Sequence, residues 1–360
     1  MHPYGKMTKK SNINGDMWGN RNLTSTQVGL AHQEEAVIKS KHGDRAPTKR
    51  EVYPNDPNKA ENLYPNGYGE LTLKGQLRAS ELGRQLRARY DSYIGKNFTE
   101  DDVDVVSTLS HRAQKTLELV LADFLPEWYR FIKRNVLNDT ENFMTDRHCP
   151  RYDSEYKRVS KIPGVQSEID KFKRVMKYLS AYTGKSFSHP STMLSLYHLL
   201  DAELSSNQKL PKWTKKVFPN GLLLHGATLA YRIKSYSTLQ RKLNGGKLLL
   251  NIIRKIDAVK QNVSQVSPKI NLYSGHETNI AALLATLGVY EPHVPQYTSA
   301  VIIELHEQEF QYYVKVVYYL GRPSIFKNLK IPGCSEFCPY VEFLRLLKDV
   351  IPEDESICHQ

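Results

Sequence analysis

Strand-like segments fall in two blocks of this chain, and the long tract between them carries none. Glu35 to Ser40 and Asp104 to Thr108 make the first block. Lys269 to Ser274, Thr298 to His306 and Phe310 to Tyr319 make the second. From about 126 to 265 helical periodicity dominates instead, as in Phe172 to Tyr182, Ser191 to Leu204 and Gly246 to Lys260. Within the blocks, strands alternate with helices. Leu73, Leu77, Leu82, Leu86 and Tyr90 recur near a 3.6-residue period behind Thr72, which can cap the helix start. Further helices are predicted for His111 to Phe124, Thr278 to Leu287 and Tyr340 to Val350. Residues 53–69 read as loop, broken by Pro54, Pro57, Pro65, Gly67 and Gly69. The pattern is an α/β unit interrupted by a helical insert. Its expected parts are an α/β domain of residues 34–125 and 266–360, an insert domain of 126–265, and a polar N-terminal extension of 1–33.

The composition narrows the function classes. Fifty basic against 38 acidic side chains leave a net charge of +12, which favours anionic partners and says nothing about fold. The most apolar stretches, Ile280 to Val289 and Ala300 to Leu305, are too short to span a bilayer, so no membrane span is expected. No polybasic run interleaved with aromatics occurs, so no nucleic-acid partner is expected; a nucleic-acid or heparin binder would rest on the net charge alone. The four cysteines are Cys149, Cys334, Cys338 and Cys358, and glycosylation sequons stand at Asn22, Asn97, Asn138 and Asn262. No apolar leader follows Met1. The chain is therefore either cytosolic or the mature form of a secreted protein with its signal peptide absent; the even cysteine count and the sequons favour the second.

Three segments carry chemistry, each where a strand passes toward a helix. The first is Lys41-His42-Gly43-Asp44-Arg45-Ala46-Pro47. A histidine among cations can attack or hold a phosphate, and Arg45 offers a planar fork for its oxygens. The second is Ser107-Thr-Leu-Ser-His111-Arg112. The third is Tyr273-Ser-Gly-His276-Glu277-Thr278, where a helix start favours an anion and Glu277 could donate a proton. Each alone reads equally as a basic turn or a capped helix. Three such junctions converging on one crevice at the strand ends point to a site.

Together with Gly69-Glu-Leu-Thr-Leu-Lys-Gly75 and the ending Pro332-Gly-Cys334-Ser-Glu-Phe-Cys338-Pro, these segments resemble the histidine acid phosphatases of the prostatic and lysosomal type, over nearly all of residues 34–360. The resemblance implies a mixed central sheet with helices on both faces, no metal and no cofactor. It implies disulfides Cys149–Cys358 and Cys334–Cys338, one of three possible pairings. It assigns His42 as the phosphohistidine nucleophile, Arg45 and Arg112 as phosphate ligands and His276 as the second histidine. Two positions depart from the family pattern: Lys41 stands for an arginine and Glu277 for an aspartate. Lysine loses the two-pronged donor, and one such donor contributes roughly 3–4 kcal/mol to a transition state. Glutamate moves the acid outward by about one bond, and a misplacement near 1 Å can cost about a hundredfold.

Such losses resemble the acid-phosphatase-like proteins of flea saliva, which bind biogenic amines and leukotrienes. The resemblance implies a secreted, catalytically impaired relative that sequesters small host mediators such as serotonin and leukotrienes, with phosphate or sulfate as further pocket ligands. The alternative is a working acid phosphatase that uses His42. An amine needs a carboxylate and aromatic faces. Glu277, Asp44 and Asp201 are the candidate acids; Tyr197, Trp128 and Tyr129 are the candidate rings. Either a monomer or a homodimer is compatible with the sequence.

Overall fold

A computed structural model describes residues 32–138, 143–144, 149–261 and 268–358. The strands are β1 (His32–Lys41), β2 (Val103–Thr108), β3 (Arg134–Leu137), β4 (Ile270–Gly275), β5 (Ala300–Gln308), β6 (Gln311–Tyr319), β7 (Phe326–Leu329) and β8 (Phe337–Pro339). The helices are α1 (Leu73–Ile94), α2 (His111–Phe124), α3 (Pro150–Ser160), α4 (Pro163–Asp170), α5 (Lys173–Thr183), α6 (Pro190–Ser205), α7 (Leu222–Lys234), α8 (Thr238–Leu243), α9 (Gly245–Gln261), α10 (Glu277–Thr286) and α11 (Tyr340–Leu347).

The strands form one mixed sheet in the order β3-β2-β4-β1-β5-β6-β7, with β8 also on β6. The first four run parallel and the rest antiparallel. Alternate residues of β1 serve opposite faces. Ala36 and Ile38 pack with Ala79, Leu82 and Leu86 of α1 and Leu117 and Leu121 of α2. Val37 packs with α9, α10 and α11 through Leu249, Ile253, Ile280 and Phe343. The chain therefore leaves adjacent strands β1 and β4 toward opposite faces, and that divergence opens a crevice at their carboxyl ends. Helices α4 to α7 pack around an apolar core that includes Leu179, Leu199, Leu223 and Ala230 and takes in Tyr53, Ala281 and Val294 from outside the insert.

Two expectations change. β3 lies inside the tract expected to be helical, where it extends the sheet edge beside β2; its four residues, half of them exposed, are too few to show an alternation. In α1, Leu73 and Leu77 are 70% and 61% exposed, and the buried stripe runs through Gly75, Ala79, Leu82, Leu86 and Tyr90. Gly75 faces inward because a Cβ there would run into the backbone of Asp44. Thr72 caps α1 as expected, accepting from the Gly75 N–H at 3.1 Å. Cys149 is bonded to Cys358 and Cys334 to Cys338. Asn97 and Asn138 are exposed, while Asn22 and Asn262 lie outside the described residues. Among the described residues no helix is long and apolar enough to cross a membrane.

Candidate active site

The loop after β1 is held at the crevice by its own backbone. The His42 N–H donates to Gly275 O at 3.0 Å, its carbonyl accepts from the Thr298 N–H at 3.2 Å, and the Gly43 N–H donates to Thr116 Oγ1 of α2 at 3.0 Å. Four elements thereby converge on His42. Its ring lies 5.5 Å from that of His276 and 5.9 Å from that of Tyr297, centroid to centroid. Gly43 O accepts from His42 Nδ1 at 2.8 Å, which places the proton on Nδ1 and leaves the Nε2 lone pair for chemistry. Burial, then Arg112 and His276, hold His42 well below the usual histidine range, so it is neutral. His276 caps α10, and its Nε2 lies 3.3 Å from Thr108 Oγ1.

The cations of the crevice differ in what they hold. The Lys41 ammonium donates to Pro295 O at 2.9 Å and sits 4.1 Å from the centre of the Tyr297 ring. Burial lowers its pKa against the pull of Glu277 and Asp201. Arg45 is forked onto Glu51, with Nη1 to Oε2 at 2.8 Å and Nη2 to Oε1 at 2.5 Å. Thr48 fixes that carboxylate from its N–H at 2.8 Å and its hydroxyl at 2.9 Å. Glu51 raises the Arg45 pKa despite burial, and Arg45 lowers that of Glu51. The Arg112 side chain makes no hydrogen bond or ion pair among the described residues, and its buried Nε lacks a partner. Burial, then Arg45, lowers its pKa. Arg112 is thus the arginine here whose fork remains open to an anion.

Helix α6 presents Tyr197, His198, Asp201 and Ser205 to the crevice at a helical repeat. His198 Nε2 lies 3.4 Å from Glu277 Oε1 and 3.1 Å from the Tyr231 hydroxyl. Burial pushes the Glu277 carboxyl up, but His198, Lys41 and His276 together hold it well below the carboxylate range. An acid so firmly ionised is a poor proton donor to a leaving group. Asp201 makes no hydrogen bond or ion pair among the described residues; burial raises its pKa, with Lys41 and His198 opposing. Tyr197 packs edge-on to Phe218 at 5.1 Å, and burial and Asp201 push its hydroxyl up to about 12.

Of the other expected ligand residues, one is committed to internal partners and two are placed elsewhere. Asp44 is buried and committed to Arg78 at 2.9 Å, Lys74 at 3.5 Å and the Ser205 hydroxyl at 3.1 Å. Trp128 and Tyr129 lie beyond the far end of α2, where Trp128 packs on Phe98 at 5.3 Å. Fourteen residues of helix, about 21 Å, separate that end from the site. Conversely, Glu51, His198, Tyr231 and Tyr297 belong to the site and went unread. His198 had a signal, since it shares a helical face with Tyr197 and Asp201. Tyr297 is set by a backbone feature: Thr298 has φ 60°, rare for a β-branched residue, and beside this turn the Tyr297 ring lies against Lys41 and His42. A Cβ on Gly275 would meet the ammonium of Lys39. That lysine is buried beneath the site, and burial lowers its pKa to about 7.

A phosphate-type crevice at the switch point of a mixed sheet defines the class, and the comparisons agree. Residues 31–319 match the histidine phosphatase superfamily (branch 2), and the chain belongs to that family. It is 37% identical to venom acid phosphatase Acph-1 of Apis mellifera, over 92% of this chain and 88% of that one. It is 29% identical to human lysosomal acid phosphatase, over 87% of this chain and 77% of the other. Among solved structures, the phytase of Citrobacter braakii superposes with a TM-score of 0.70 at 17% identity, over 91% of this chain and 99% of that one, a likeness of fold.

Proposed function

We propose that this acid-phosphatase-like protein is secreted and uses the crevice to bind small mediators, amines foremost, with little turnover of phosphate esters. The observation that carries this is the placement of Lys41. Where the family has an arginine fork, this side chain spends its ammonium on Pro295 O and the Tyr297 ring. Arg45 is engaged in turn by Glu51. Two of the three cationic phosphate ligands are thus held internally, and Glu277 is ionised where a proton donor is needed. The two disulfides and the likeness to a venom phosphatase support secretion.

The same crevice offers an amine what it needs. Asp201 is a carboxylate without a partner among the described residues, one helical turn from the Tyr197 ring. At about 4 Å and an effective dielectric near 20, an ion pair gives about 4 kcal/mol, so the ammonium points to Asp201 and away from Arg112. Glu277 is the second acid. An apolar carboxylate such as a leukotriene would take the reverse pose, its head on Arg112 and its chain toward the 290 Å³ cavity lined by Ala46, Leu63, Tyr64 and Leu71. The alternative, a working phosphatase, is favoured by the intact His42, Arg112 and His276 and by the venom relative.

Calorimetric titration with serotonin beside an aryl-phosphate assay at acid pH separates the two. The expected result is binding that weakens at least tenfold in Asp201→Asn, with turnover far below an ordinary rate of about 10 per second. Lys41→Arg, which restores the two-pronged donor, is expected to recover measurable hydrolysis. Ordinary turnover in the wild type, or serotonin affinity unchanged within twofold in both Asp201→Asn and Glu277→Gln, overturns the proposal.

A further inference from the structure

We infer that the outer face of the insert, made by α5 and the turn Lys212–Lys216, binds a sulfated polysaccharide. Residues 171–216 contain nine lysines and arginines and two acids, Asp201 and Glu203. Both acids are withdrawn from this surface: Asp201 belongs to the crevice, and Glu203 is buried on Asn58 at 3.0 Å. The tertiary structure then brings separate basic segments together. The Tyr178 hydroxyl of α5 donates to Trp213 O at 3.0 Å, and the Trp213 ring stacks on Tyr182 at 5.6 Å. This clamp sets Lys212, Lys215 and Lys216 beside the helix that carries Arg174 and Lys177.

All five of these cations are exposed, and none makes an ion pair or hydrogen bond among the described residues. Their neighbours differ: Lys171 and Lys173 are paired with Glu168 and Asp170. A one-signed field of this kind repels itself and gives nothing back to the fold, so its complement is an external polyanion. The occupant is further defined by the aromatic pair. Trp213 and Tyr182 stack at 22°, so each covers one face of the other, and the half-exposed Tyr182 is a single stacking surface beside five cations, where successive nucleic-acid bases would need several. Lysine ammoniums suit dispersed point charges such as sulfates. The secretion proposed above, on which the choice of polyanion rests, would place the chain where linear sulfated polysaccharides are the polyanions at hand.

The experiment is calorimetry and column elution with a heparin-derived octasaccharide. One variant carries Arg174→Glu, Lys177→Glu, Lys212→Glu and Lys215→Glu. The other carries the same charge change at exposed positions elsewhere: Lys96→Glu, Lys133→Glu, Lys330→Glu and Lys348→Glu. Circular dichroism verifies that both fold. The expected result is elution of the wild type well above about 0.15 M salt, where exposed charges more than a Debye length apart are screened. Affinity should fall at least tenfold more in the insert variant than in the control. Equal losses in the two variants would show net charge acting without a site, and elution below about 0.15 M would show no useful affinity. A single-stranded oligonucleotide of equal charge that binds as tightly, with the same loss in the insert variant, would transfer the surface to nucleic acid. Each of these three results overturns the inference.

Discussion

Asp201 shows how one side chain can be retained at a cost to the fold. Burial raises its carboxyl pKa, so the folded state holds its proton more tightly than the unfolded chain does. Between the ordinary carboxylate pKa and the raised one, stability falls as pH rises, because in that window the native state binds the extra proton. Below the window the residue costs nothing. We therefore expect Asp201→Asn to be more stable than the wild type at pH 7, on the ordinary single-substitution scale of about 1 kcal/mol, and the difference to vanish near pH 3. Urea unfolding at the two pH values measures this; a less stable variant at pH 7 would mean that Asp201 is satisfied in the native state. A bound ammonium restores the ionised form, so amine affinity should weaken as pH falls through the raised pKa. Glu51 acts in the opposite sense: Arg45 lowers its pKa, and the pair stays ionised across the neutral range.

Among the elements, α1 and the β1 loop depend on each other most closely. Gly75 in the first turn of α1 lies against the Asp44 backbone, and a Cβ on Gly43 would in turn meet the Gly75 carbonyl. The Thr72 N–H donates to Asp44 O at 3.0 Å, and the Asp44 carboxylate binds Arg78 one turn farther along. The helix start is thus the wall that keeps His42 and Arg45 in place. Gly75→Ala should cost about 3 kcal/mol, the upper end for overpacking, and should also impair ligand binding by shifting the loop. Thermal unfolding beside serotonin titration checks both. Unchanged affinity in a destabilised variant would separate the helix contact from the site.

For the whole molecule, the Cys149–Cys358 bond joins the start of α3 to the turn Glu355–Cys358 across 209 positions. Around it Tyr152, Leu243 and Ile357 form a small separate core. Replacing both cysteines by serine should cost about 2–5 kcal/mol, the range that closing so long a loop contributes. The Cys334–Cys338 bond closes four positions, and its loss should cost much less. Denaturant unfolding of the two double variants gives the ranking; equal costs would show that local packing, rather than loop closure, dominates.

The α/β class, the long elements and the three strand-to-helix junctions were all legible along the chain, because periodicity and turn chemistry are local. α2 runs from His111 to Phe124 as read, and α6, α9, β5 and β6 lie within a residue or two of their expected places. His42, Arg45, Arg112, His276 and Glu277 meet in the crevice because each follows a strand end on the same edge of the sheet. What each charge faces was settled by the three-dimensional packing alone. Asp44 and Asp201 look alike in sequence, yet Asp44 is neutralised by Arg78 and Lys74 while Asp201 has no ion-pair or hydrogen-bond partner among the described residues. Trp128 follows a helix that begins at the site, and the length of that helix carries it away. Glu51 reaches Arg45 through a turn set by Thr48, and the 297–298 segment aims Tyr297 by a backbone angle that composition does not announce. One cause runs through these cases: spacing along the chain specifies which face a residue takes, and partnership in a crevice depends on segments brought together from far apart in sequence.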